Sequence, residues 1–375
     1  VKSILDFGFY VSFFPQLVAG PIVRAADFIP QLYKKYSLTK EEFGLGLFWI
    51  LNGLLKKMFL ADYIAVNFVD RVFANPASFS GFESVMALFG YTLQVYADFS
   101  GYTDIAIGVA MWMGFRLPVN FNSPYKATSV SDFWRRWHIS LSSWLRDYLY
   151  IPMGGNRGGS FFSYLMLGII IFFVSLLANS WIVPIGIAIT GLVVAILVRV
   201  SSGFKAWLET NINVMLTMLW GGLWHGASWN FVIWGGLNGL GLVFYKLWKK
   251  VSPWSDRSKW YNRVIGITIT LCFITFTRTW FRSATWDDAM TMLQQIAFNF
   301  KPEIALDVIV GFKNVFIVML LGFLIHWIPA HLKFKYRTFF VKMPVLLQVT
   351  ISVICIFAVY QIVSSDLQPF IYFDF

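Results

Sequence analysis

Two histidines sit where an imidazole can do chemistry. His225 lies in LWGGLWHGASWNFVIWGGLNG (219–239), a stretch without a charged residue. An ionisable side chain inside an apolar span is costly and marks a functional site by default. Imidazole changes charge near neutral pH, so it can act as a general base that deprotonates a hydroxyl nucleophile. The competing reading is a packing histidine hydrogen-bonded to a neighbouring helix. Gly221, Gly222 and Gly226 remove bulk beside it, which lets a helix or a substrate come close. Trp220, Trp224, Trp229 and Trp234 can wall an apolar channel.

His138 also follows a tryptophan, in FWRRWHISLSSWLRDYLYIPMGGNR (133–157), where Arg135, Arg136 and Trp137 directly precede it. The planar fork of arginine suits phosphate. This segment is therefore either the face that meets a phosphate-bearing acyl donor such as acetyl-CoA, or an interfacial helix with ordinary charges. Gly154-Gly155-Asn156-Arg157 reads as a tight turn, and Asn156 and Arg157 would touch a pyrophosphate if the turn does more than reverse the chain. Asp98 and Asp104, in QVYADFSGYTDIAIG (94–108), are carboxylates in an apolar run. They either join helices through an ion pair or hydrogen bond, or orient a histidine. His326 and His331 read as residues at a membrane edge. No serine nucleophile elbow, P-loop or zinc spacing occurs. The expectation is no metal and no bound cofactor, with acetyl-CoA as a substrate. Cys272 and Cys355 lie in apolar runs and suggest no disulfide.

The elements that must hold these residues are membrane helices. The 375 residues are 58% hydrophobic and 13% charged, against about 25% charged in soluble domains. The apolar runs are continuous and near the length of a span, which favours helices over a barrel of short alternating strands. Spans are expected at 43–60, 85–112, 212–226, 228–248, 263–281, 310–328 and 343–364. Segment 4–19 is a short span or re-entrant piece broken by Pro15 and Gly20-Pro21, and 113–160 is interfacial or re-entrant. An uncharged run from Gly158 to Val198, interrupted by Asn179, Ser180 and Pro184, predicts a hairpin of two spans. Lys56 and Lys57, near the end of their span, are expected to snorkel to the interface.

The charges supply a sidedness. Segments 20–42, 113–160, 199–211, 246–263 and 329–343 carry 22 of the 30 Lys and Arg residues. The opposite loops, 61–84 and 283–309, hold only Arg71 and Lys301. The rich side is expected to be cytoplasmic, so the net charge of +11 reports topology and not nucleic-acid binding. Entering near Asn211, a helix reaches His225 after about 20 Å of a core about 30 Å thick. The hairpin 212–248 would then present His225 near its apex.

Several segments together resemble the membrane-bound O-acyltransferase (MBOAT) family, with the nearest likeness to its bacterial alginate O-acetyltransferase branch. They are SFFPQLVAGPIVR (12–24), QVYADFSGYTDIAIG, FWRRWHISLSSWLRDYLYIPMGGNR, LWGGLWHGASWNFVIWGGLNG, FTRTWFR (276–282) and PFIYFDF (369–375), in family order along the whole chain. The resemblance implies an all-α polytopic transmembrane helical bundle with re-entrant or interfacial helices around a central tunnel, in a multi-pass protein of the cell (inner) membrane. It implies a catalytic His225, a second family histidine at His138, and acyl transfer to a hydroxyl of an extracytoplasmic polysaccharide such as alginate. That transfer is direct or passes through a partner acyltransferase protein. The chain is expected to form a single MBOAT domain over 1–375 that lacks N-terminal spans of the family, with 159–200 as an inserted two-span hairpin. Two rivals remain: D-alanyl transfer to teichoic acid, and a proton-coupled transporter. A transporter should show paired repeats with broken helices, and none is visible. FFPQLVAGPIVR favours the alginate-type branch.

Overall fold

The computed structural model describes residues 3–177, 180–252 and 259–363, so Asn179 and the PFIYFDF motif lie outside the described residues. Every regular element among the described residues is helical. Four helices are long and apolar enough to cross a membrane: Lys40–Ala74, Ile182–Val200, Trp229–Val251 and Trp260–Arg282. Two bent pairs, Pro302–Gly311 with Lys313–Trp327 and Ala330–Lys342 with Val345–Gln361, raise the number to six if each is one broken span. This is a multi-pass membrane protein. Helices Gly81–Trp112 and Ser202–His225 also have the length of spans but are less apolar than those four.

The chain divides into two compact units, one of Val1–Leu141 with Arg263–Phe375 and the other Ser142–Asn262. The axis of the first is the 32-residue helix Gly81–Trp112. Ser80 and Glu83 form a capping box at its start, which satisfies backbone donors that would otherwise be orphaned. Against it lies Lys40–Leu54, also opened by a capping box, of Thr39 and Glu42. Two glycine pairs set how close these helices come. A Cβ on Gly53 would lie 2.5 Å from the Gly101 carbonyl oxygen, and one on Gly108 would lie 2.6 Å from that of Gly46. Only hydrogen fits at this antiparallel seam, so backbones touch where side chains would hold them apart.

The seam delivers charge to charge. Lys56 Nζ is 2.6 Å from Asp104 Oδ2, which also accepts a 2.6 Å hydrogen bond from Asn52 Nδ2. Lys57 Nζ bridges Asp98 at 2.6 Å and Asp62 at 2.8 Å. Below Leu54 the chain widens into π-helix over Leu55–Asp62. In that geometry residues five apart are neighbours, which is how Lys57 reaches Asp62 on its own helix. The snorkelling expectation is thus corrected: Lys57 is 5% exposed. Buried carboxylates one turn and more apart offer each lysine a nearer partner than the interface. The expected loop 61–84 is corrected too, because helix continues to Ala74 through a second π stretch, Ala65–Val69.

The segment before this pair is a short, broken helical fragment. Helix Ile4–Ser12 gives way to a 3-10 turn at Phe14–Gln16, and Val18 adopts a left-handed φ of 63°. Phe13, Val23 and Phe28 then pack on Ala106, Ile107 and Ala110 of the long helix. In the second unit, the apolar helices Phe161–Leu177 and Ile182–Val200 occupy the segment expected to be a two-span hairpin, and of the two only Ile182–Val200 is long and apolar enough to cross a membrane. No residue of Ile182–Val200 is buried, and a Cβ on Gly186 or Gly191 would meet no atom within 4 Å.

Removing the Lys57 ammonium strands two buried carboxylates, an uncompensated charge of the kind that costs about 3–5 kcal/mol. Lys57→Met should therefore lower the thermal unfolding midpoint of detergent-purified protein markedly. Lys57→Met combined with Asp98→Leu and Asp62→Leu should recover most of the loss. Equal stability of Lys57→Met and the parent chain would contradict the buried pairing.

Candidate active site

Each unit carries one of the two histidines singled out by sequence. In the first, His138 is 2% exposed and has a left-handed φ of 42°. A non-glycine residue pays for that conformation, and such strain gathers at functional positions. Its surroundings impose it. Ile139 N–H donates to the Asn120 carbonyl at 2.9 Å, and the Ser140 hydroxyl donates to Asn120 Oδ1 at 2.9 Å. Ser140 Oγ in turn accepts the Ile22 N–H at 3.0 Å. The AGPIVR segment is therefore fastened directly to the residues that follow His138. The imidazole meets Phe99 edge to face, with ring centroids 4.7 Å apart.

The same interior holds residues that sequence reasoning passed over. Arg278, from FTRTWFR, is 4% exposed. Its Nη1 donates at 2.8 Å both to the Thr92 carbonyl and to the Tyr125 hydroxyl oxygen, while its guanidinium lies 4.8 Å from the Trp137 ring centroid. Tyr125 N–H donates to His326 Nε2 at 3.1 Å, and the His326 ring packs edge-on to Tyr96 at 4.6 Å. His326 is 2% exposed, which corrects its reading as a membrane-edge residue. Its flanking Trp327 and Pro329 suggested an interface, whereas the ring turns inward as the nitrogen acceptor a buried backbone N–H requires.

Trp137 is buried against Phe133 and Phe121 and faces Arg278, so its surface is spent inside the protein. Arg135 and Arg136 stay near the surface and both approach Asp132, at 3.7 Å and 3.0 Å. Asp98 and Asp104 belong to the lysine ladder.

In the second unit His225 is the last residue of helix Ser202–His225, and Trp229–Val251 returns after three residues. The expected apex placement is what this turn produces. Trp224 and Trp234 stand edge-to-face around the imidazole at 4.9 and 5.1 Å, and Phe231 lies at 6.3 Å. The glycines beside it admit the returning helix: a Cβ on Gly222 would sit 2.3 Å from the Phe231 carbonyl oxygen, and one on Gly235 would sit 2.4 Å from that of Met218.

The GGNR turn is held from the same helix. Buried Asn213 donates through Nδ2 to the carbonyls of Gly155 at 3.1 Å and Gly158 at 3.0 Å, and its Oδ1 accepts the Ser163 hydroxyl at 2.8 Å. Gly154, Gly155 and Gly158 all take positive φ, which explains the glycines as turn formers. Asn156 and Arg157 remain exposed at its tip, with Asn156 Oδ1 accepting the Tyr150 hydroxyl at 2.7 Å. A neutral asparagine mid-helix gave no sequence signal for this clamp.

Comparison with known proteins places these features in context. Residues 2–177 match the model of the membrane-bound O-acyltransferase family. A peptidoglycan O-acetyltransferase of Helicobacter pylori is 35% identical over 300 residues, which are 78% of this chain and 47% of that protein. A Pseudomonas aeruginosa protein named "Probable alginate O-acetylase AlgI" is 38% identical over 243 residues, 64% of this chain and 37% of that protein. A teichoic acid D-alanyltransferase of Bacillus subtilis is 27% identical over 280 residues, 72% of this chain and 58% of that protein. The chain thus spans about half the length of the curated relatives it matches.

Asn213→Leu removes both donors from the turn. Leaving buried carbonyls unpaired costs about 1–3 kcal/mol, so the turn should open roughly tenfold more often. Limited trypsin digestion in detergent should cut after Arg157 correspondingly faster, with the helix pair intact by circular dichroism. An unchanged cleavage rate would show that the clamp does not hold the turn.

Proposed function

Because this chain belongs to the membrane-bound O-acyltransferase family, we propose that it moves an acetyl group from a cytoplasmic donor to hydroxyls of an extracytoplasmic polysaccharide. The observation that carries the reading is His225 at the turn of a tightly packed helical hairpin, walled by Trp224, Trp234 and Phe231. His225 is partly exposed beside these rings, so its imidazole is open to what enters there. In the proposed reaction the imidazole accepts the proton of the attacking hydroxyl as its oxygen bonds to the thioester carbonyl carbon. The carbon–sulfur bond breaks, the thiolate leaves and takes that proton, and His225 returns to its neutral state. The products are an ester and a free thiol.

The proposed donor is acetyl-CoA, its phosphates meeting the guanidinium groups of Arg135 and Arg136. The hydroxyl acceptor belongs either to the polysaccharide itself or to a partner protein that relays the group. Alginate and peptidoglycan, the polymers in the relatives' names, share the required chemistry of exposed sugar hydroxyls. D-alanyl transfer remains the second reading because of the Bacillus subtilis relative, and the lower identity of that match favours acetyl.

His225→Ala should leave membrane insertion unchanged and lower acyl transfer by about two to four powers of ten, the usual worth of a general acid–base. The check is the ester content of exported polymer in cells complemented with the full-length mutant gene. Mild alkaline release of acetate or of D-alanine separates the two readings, and normal ester content would sink the assignment of His225.

The donor side has its own test. A cysteine replacing Ser131 should react only with thiol reagents that reach the cytoplasm. Labelling of Ser131→Cys by an impermeant reagent outside intact cells would overturn the sidedness and the donor face with it.

A further inference from the structure

At one edge of the first unit, cations crowd together with no carboxylate to separate them. Lys126 Nζ donates to the Ile328 carbonyl at 2.7 Å. Lys333 Nζ donates to the His326 carbonyl at 2.9 Å and to Ser123 Oγ at 3.2 Å. Both lysines therefore gather at the C-terminal end of helix Lys313–Trp327. Capping those carbonyls uses one N–H of each lysine, and a second N–H of Lys333 goes to Ser123 Oγ. Two N–H groups of Lys126, one of Lys333 and the Ser123 hydroxyl proton are left without an acceptor among the described residues.

The charges around them are of one sign. Lys333 faces the positive charges of Lys126 and Lys56, and Lys126 is lowered by burial and by Arg136. The two nearby acids are committed elsewhere, Asp132 to Arg136 and Asp104 to Lys56. A helix end can be satisfied by one cation. Two lysines that repel each other there imply an anion between them.

The backbone adds an independent sign. Ser123 has φ 44° and ψ 63°, the left-handed region, although it is not glycine and precedes Pro124. A residue before proline is normally driven to extended conformations, and strain of this kind collects at ligand clamps. Its neighbour is fixed in place, since Asn122 N–H donates to the Arg136 carbonyl at 2.9 Å. The result of the strain is a serine hydroxyl set against the Lys333 ammonium.

We infer that Lys126, Lys333 and Ser123, flanked by Arg136, form a phosphate-binding site. Two ammonium groups and a hydroxyl suit a tetrahedral anion with several acceptor oxygens. The phosphate comes either from the acyl donor or from the headgroup of an anionic phospholipid. The first source rests on the donor reading above, the second does not. Lys126 and Lys333 both lie in segments assigned to the Lys- and Arg-rich side of the membrane.

The test uses the full chain purified in detergent, its Lys126→Gln/Lys333→Gln double variant and a Lys126→Arg/Lys333→Arg control. Coenzyme A, phosphate-free pantetheine and nanodiscs with or without phosphatidylglycerol are the probes. If the donor supplies the phosphate, the glutamine variant loses roughly tenfold or more of coenzyme A affinity, pantetheine binding is unchanged, and the arginine control keeps most of the affinity. If the lipid supplies it, coenzyme A binding is unchanged and the glutamine variant instead loses co-purifying phosphatidylglycerol. Glutamine variants that lose thermal stability yet bind both probes like the parent would reduce the lysines to helix caps and overturn the site. A parent chain that binds no coenzyme A but retains phosphatidylglycerol through these lysines would count against the donor reading and leave the phosphate site standing.

Discussion

The lysine–aspartate ladder between helices Lys40–Ala74 and Gly81–Trp112 constrains everything built on the first unit. A charge alone at the centre of a span costs about 2.5–3.5 kcal/mol on insertion scales. Lys57, Asp98, Asp62 and Asp104 accordingly have one acceptable arrangement, in which each is within hydrogen-bond distance of an opposite charge. The glycine pairs Gly46–Gly108 and Gly53–Gly101 make that arrangement reachable, and the π-helical widening lets consecutive lysines serve different partners. Register, separation and helix type are three expressions of the same electrostatic demand.

The long helix that answers this demand also floors the interior around His138. Asp98 and Asp104 alternate along it with Thr92, Tyr96 and Phe99, which meet Arg278, His326 and His138. A slip of the ladder by one residue would rotate those contacts by about 100°. The buried ion pairs are thus a registration device for the functional residues more than a source of net stability, in keeping with the modest or negative balance of buried pairs against apolar packing.

Sequence made the all-helical membrane class legible, because runs of about 20 apolar residues have few other solutions. It also exposed His225 and His138 as unusual, and it placed His225 near the apex of a hairpin by counting helical rise from Asn211. What it could not reveal were partnerships across distance. Lys56 and Lys57 looked like interfacial anchors because a one-dimensional reading sees the end of an apolar run and not the carboxylates of another helix. Asn213 and Asn120 had no charge or period to announce them, yet Asn213 pins the GGNR turn and Asn120 the residues that follow His138. His326 was misplaced by its flanking tryptophan and proline, which look the same at an interface and at a kinked helix end. Trp137, from the conspicuous motif, has its ring against the Arg278 guanidinium, a contact no local pattern announces.

The ladder also bears on how the protein is made. Each helix of the pair relies on the other: Lys56 finds a carboxylate on Gly81–Trp112 and Asp98 an ammonium on Lys40–Ala74, with Lys57–Asp62 a pair inside the earlier helix. Released singly into lipid, each would sit with exposed charge and partition poorly. The earlier helix must wait at the insertion machinery until the later one has been synthesised, and the two must enter the bilayer as a joined hairpin. The pace of translation through residues 75–112 is then part of the folding pathway.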